Sequence, residues 1–238
     1  MNSTRGWVRF GLFNLLLVAV WGIVMRYKIG FPFPHFEQKY LQHAHSHFAF
    51  YGWISHTIMA LMVAYIRQLN QGIGIRKYQW YILINLLCSY GMLAAFSIAG
   101  YTALSITFST ASILISYAFT YSFMKDFRPV QIQSGVSLWF RAALVFNVFS
   151  SLGTFALAYM MVTHHVPQKA YLSSVYFYLH FQYNGWFFFA CMGLAVLLFR
   201  TFNPEFKTDR RIFWMFALSC IPAYLLSALW LKVPTWVY

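Results

Sequence analysis

Eight histidines carry most of the reactive chemistry of this 238-residue chain, since it has only four acidic residues and three widely spaced cysteines. His43, His45, His47 and His56 crowd into one short stretch, His180 follows His47 by 133 residues, and His35, His164 and His165 lie in polar breaks. A neutral imidazole offers one lone pair and one N–H, so it serves iron, copper, zinc or nickel, relays protons, or simply bonds a carbonyl. On a helix, residues four apart share a face, which pairs His43 with His47. His45 and His56, eleven apart, share a second face about 16 Å long. The stretch therefore points histidines in two directions. His45, His47 and His180 are read as haem ligands, and His43 and His56, with the His164-His165 pair, as ligands to a second metal, copper or iron. Cys88, Cys191 and Cys220 form no Cys-x-x-Cys pair and are expected to pack.

These side chains must be held by membrane helices. Hydrophobic residues make up 61% of the chain and charged ones 9%, against about a quarter charged in soluble domains. The apolar residues come in runs of about 20, the length that crosses a hydrocarbon core ~30 Å thick, and do not alternate as barrel strands do. The expected fold is all-α: one polytopic transmembrane bundle over residues 1–238 with about seven spans, near 7–26, 44–66, 79–100, 102–123, 138–162, 171–199 and 212–231. Only Gly100 and Tyr101 separate the third and fourth spans, so that boundary demands a very tight turn. Lys125-Asp126-Phe127-Arg128-Pro129 is a clear break, as is the stretch from Asn203-Pro204 through Lys207 to Arg211.

With seven spans, twelve of the 17 lysines and arginines fall on the N-terminal face and five, including Lys232, on the other. The positive-inside rule then puts the N-terminus in the cytoplasm and the C-terminus outside. The net charge of +13 is a topology signal rather than a nucleic-acid footprint, which needs a basic face on a soluble fold. Arg5 and Arg9 precede an apolar stretch as in a secretory signal, but Trp21 and Met25 occupy the place of small cleavage-site residues, so an uncleaved first helix is expected.

The second and sixth spans repeat each other. His47-Phe48-Ala49-Phe50-Tyr51-Gly52-Trp53 aligns with His180-Phe181-Gln182-Tyr183-Asn184-Gly185-Trp186, and Met59 and Leu61 continue the register to Met192 and Leu194. Four crossings separate the two helices, so they run the same way, as parallel repeats do. Ionisable groups in a span are costly and by default face the bundle interior at a ligand site or pathway. The bland readings are hydrogen bonding within the bundle for the histidines, and packing or belt roles for Tyr51, Tyr183 and Trp53 in a chain that is 22% aromatic. Gly52 and Gly185, about 140° around the helix from the histidines, are expected to relieve a contact with another helix or a macrocycle edge.

The His-x-His and Gly-Trp of the second span, the sixth-span histidine with tyrosine close behind, and the four-helix repeat together resemble subunit I of the haem-copper oxidase and nitric oxide reductase superfamily. The resemblance implies a remote or truncated relative: a b-type haem on His45 or His47, a second metal on His180, Tyr183 in the place of the family tyrosine, a quinol or cytochrome-type electron donor, partner subunits, and a bacterial inner membrane. The family core has about twelve helices, and here nothing follows the seventh span to supply its later histidines. Glu37, Tyr183 and Asn184 stand as residues that orient histidines or relay protons.

The function expected from this is membrane-bound haem redox chemistry, passing electrons to a small acceptor such as oxygen or nitric oxide. The alternatives are a histidine-dependent metal or proton transporter, or a di-metal membrane oxygenase. The latter is disfavoured because no His-x-x-His-His box is present. A retinal-type bundle lacks its membrane-centre lysine, Lys232 lying at the end of the last span.

Overall fold

The computed structural model describes residues 4–69, 74–127, 135–206 and 208–231. Among them it is all helical, with no strand. We number the helices α1 (Thr4–Gly30), α2 (Gln38–Leu69), α3 (Ile75–Ala99), α4 (Ala103–Phe127), α5 (Val136–Val162), α6 (Gln168–Phe202) and α7 (Arg210–Leu226). The first six are long and apolar enough to cross a membrane, which makes this an integral membrane protein in contact with lipid. At 17 residues, α7 is about 25 Å long and carries Pro222 in its interior. Arg128, Pro129, Lys207 and Lys232 of the sequence reading lie outside the described residues.

Where the sequence reads as one domain, the chain forms two compact units, residues 1–130 and 131–238. In the first, α2 lies between α1 and α3, and α4 packs on α3. In the second, α6 packs on α5, and α7 joins them. The unit boundary falls close to the 133-residue offset of the histidine motif.

The expected tight turn at Gly100 is real. Its φ of +63° is left-handed, a region glycine enters without the Cβ penalty other residues pay. Its N–H donates to the Phe96 carbonyl, and the Ser105 hydroxyl donates to the Gly100 carbonyl while accepting from the Thr102 N–H. The Tyr40 ring lies where a Cβ on Gly100 would be. Elsewhere Lys28 ties down the first loop by donating to the carbonyls of Phe33 and Phe36, and the Asp209 carboxylate caps α7 through the Arg211 N–H.

Periodicity did not reveal that α2 and α6 each contain a π-helical segment. These are Phe48–Ser55 and Phe181–Phe187, each starting one residue after the aligned histidine. A π turn holds more residues than an α turn, and such turns are rare and frequently found at functional sites. Helical-wheel angles at 3.6 residues per turn therefore do not hold across Gly52 and Gly185. Gly52 is covered by the Phe48 ring of its own helix and Gly185 by Phe146 of α5. The contact at Gly185 is with another helix, as expected, and that at Gly52 is with a side chain of its own helix.

Candidate functional site

The histidines of α2 do face two ways. His43 and His47 turn toward α3 and the turn that follows it. The His47 ring stacks on Phe96 with centroids 4.5 Å apart and planes 9° apart, and its Nε2 lies 3.4 Å from the Tyr101 hydroxyl. The His43 ring meets Tyr101 edge-on at 4.6 Å. Its Nε2 is buried with no hydrogen-bond partner.

His45 and His56 turn toward α1. The His45 ring bonds the Val18 backbone and lies against Gly22, leaving its Nδ1 buried and bare. Fully buried His56 repeats the arrangement: Nε2 donates to the Trp7 carbonyl at 3.1 Å, Trp7 meets the ring edge-on at 5.8 Å, and Nδ1 has no partner. Val18 and Trp7 are eleven residues apart, as His45 and His56 are, so equal steps along antiparallel neighbours bring each ring to a carbonyl. Donating one nitrogen to a carbonyl fixes the tautomer and leaves a lone pair on the other. Metal-bound histidines are commonly held this way.

His180 differs. It is buried on α6, its Nε2 donates to the Cys220 carbonyl at 2.8 Å, and Asn184 Nδ2 donates to its Nδ1 at 3.2 Å. Both ring nitrogens are in use, so the expected ligand role for His180 meets a histidine already satisfied by protein. Asn184 is beside it as expected. Tyr183 is half-exposed and packs edge-on against Phe187.

The remaining expected residues lie apart from these clusters. His35 is exposed in the 31–37 loop against Phe33, and Glu37 is exposed at the start of α2 with no capping hydrogen bond. His164, with φ +53°, and His165 are exposed in the 163–167 turn of the second unit. Among the described residues, no group of three or more histidines, cysteines or carboxylates comes close enough to hold a metal ion. That donor set does not suit a bare ion needing three or four protein ligands. What it offers is one or two imidazole nitrogens in one place.

Sequence reasoning passed over the residues that hold the π segments. In the first unit Asn14 Nδ2 donates to the Gly52 carbonyl, Asn85 Nδ2 donates to the Tyr51 carbonyl at 3.0 Å, and Tyr90 donates to Asn14 Oδ1 at 2.6 Å. In the second, Gln182 Nε2 donates to Asn147 Oδ1 at 3.1 Å and to Ser150 Oγ at 2.7 Å, and Cys220 Sγ lies 3.5 Å from the Asn184 carbonyl. A signal was present: Leu12-Phe13-Asn14 and Val145-Phe146-Asn147 repeat at the same 133-residue offset as the histidine motif. Asparagine inside a span is itself a mark of an interior contact. In comparisons with known proteins, no family model matches the chain, and no curated protein or solved structure matches it.

Proposed function

We propose that this chain is an integral membrane haem protein that transfers electrons, with the haem held in the first unit by histidines of α2. The observation that carries the reading is the bare, buried Nε2 of His43, accompanied by bare nitrogens on His45 and His56. An unpaired polar atom in a dry interior costs about 1–3 kcal/mol, and coordination removes that cost. His43, facing α3, is the favoured ligand, and His45, facing α1, is the alternative to it. His47 follows, since its 3.4 Å contact to Tyr101 is long and easily exchanged.

Bound haem would supply one-electron chemistry at this place. The chain's own residues do the rest. Val18 fixes the His45 ring, Phe96 walls the His43 and His47 face with an apolar surface, and Tyr101 offers a hydroxyl beside His47. The resemblance to haem-copper oxidase subunit I supports a haem on α2, though on His45 or His47, with a quinol or cytochrome-type donor and an acceptor such as oxygen or nitric oxide. The lysine and arginine distribution supports a cytoplasmic N-terminus in a bacterial inner membrane.

The test is the absorption spectrum of the purified protein, oxidised and reduced, with haem assayed per chain. A Soret band that is lost or shifted in His43→Ala, and kept in His180→Ala, is the expected result; loss in His45→Ala with retention in His43→Ala would move the ligand to the α1-facing side. Colourless protein purified from haem-replete cells sinks the proposal.

A further inference from the structure

Both units build the same device: a histidine, then a π turn beginning at the next residue, with a first helix and a third helix bonded to that turn. The correspondence holds element by element. Asn14 of α1 matches Asn147 of α5, each bonded to the π segment of its unit. The Tyr51 carbonyl matches the Asn184 carbonyl, and each receives a donor from the third helix, Asn85 in one unit and Cys220 in the other. Asn14 and Asn85 are buried to within 1% of full burial. Each places its amide on one of two consecutive carbonyls, so the π turn is held from both sides.

We infer that Asn14 and Asn85 are positioning residues: they hold the π turn open and thereby set the rotation of the α2 segment that carries His43, His45 and His47. The physical link is register. A π turn accommodates an extra residue, so if it relaxes to α-helix the segment before it turns by about 100°, one residue's worth of rotation. That rotation takes His43 and His47 off Phe96 and Tyr101, and His45 off Val18. A carbonyl has two lone pairs, so each asparagine amide adds a bond to a carbonyl of the widened turn without displacing a helical one. The inference rests on the haem reading only for its spectroscopic arm.

The experiment pairs Asn85→Ala, which removes the donor, with Asn85→Cys, which installs the type of donor that the third helix of the second unit uses. Spin labels at Gln42 and Ile29, both exposed, in a Cys191→Ser background whose other two cysteines are buried, read the rotation of α2 against α1 in full-length protein. A label at the ~5–6 Å radius of the helix surface travels about 8 Å on such a turn. The expected result is a shifted or broadened distance distribution in Asn85→Ala and in Asn14→Ala, with the native distribution in Asn85→Cys. In haem-loaded protein the Soret maximum moves with the distance. If Asn85→Ala fails to insert, Asn14→Ala carries the same reading. Native distances in both alanine variants, or an Asn85→Cys distribution that matches Asn85→Ala, overturn the inference. Protein without haem that still shows the distance shift would sink the haem reading and leave this one standing.

Discussion

A histidine inside a membrane is characterised by what each of its two nitrogens does. His180 is a closed case, with Nε2 on the Cys220 carbonyl and Nδ1 accepting from Asn184. His43 is the open case. The sequence presents His47 and His180 with the same following motif, and nothing in that motif says what either ring is bonded to. The deciding partners, Cys220 for His180 and Val18 or Trp7 for the α2 rings, are remote in the chain. His180→Ala is expected to remove the bond to the Cys220 carbonyl and to leave the Asn184 amide without its acceptor, at a cost of about 1–3 kcal/mol. Thermal unfolding in detergent should show a lowered midpoint while any haem absorbance persists. Loss of absorbance with an unchanged midpoint would reverse the assignment.

At the scale of elements, two devices set the geometry. One is the turn at Gly100, which hydropathy flagged only as a span boundary almost too short to exist. Positive φ and the Tyr40 ring over the glycine explain why no other residue fits. Gly100→Ala should destabilise the protein by about 1–2 kcal/mol from the left-handed backbone alone, and by more through the Tyr40 clash. Gly30→Ala, with no atom within 4 Å of its Cβ position, is the neutral control. Equal melting midpoints for the two variants would contradict this account. The other device is the π segment. A wheel drawn at 3.6 residues per turn cannot show it, because an inserted residue leaves the hydropathy of the stretch unchanged and alters only its register. Close helix approach is a related case. Gly153 of α5 meets the Ser174 carbonyl and the Tyr178 N–H of α6 where a Cβ would sit, so backbone packs on backbone there, as small residues permit in membranes.

For the whole molecule, the duplication explains why two histidine motifs stand 133 residues apart: each unit of the chain carries one π turn. The units have diverged in chemistry. The first leaves ring nitrogens bare, whereas the second ties Gln182, Asn147, Ser150, Asn184 and His180 into hydrogen bonds with one another and with Cys220. Topology depends on α7, which at about 25 Å falls short of a ~30 Å core. An alkaline phosphatase fused after Tyr238 is expected to be active, as seven spans and a cytoplasmic N-terminus require. An inactive phosphatase with a fluorescent cytoplasmic fusion at the same point would limit the chain to six spans.

Hydropathy, charge and covalent spacing are local properties, and they alone determined the membrane helices, their breaks, the all-α fold and the aligned histidine motifs. The tertiary structure decided what those histidines have available. It put His43 and His47 on Phe96 and Tyr101, tied His45 and His56 to α1 with one nitrogen bare, and closed His180 on α7. It also decided the register, through asparagines from flanking helices bonded to the carbonyls of a π turn. The physical reason is that a lone pair is free or occupied according to groups contributed by other helices, and no periodicity within α2 or α6 encodes those neighbours.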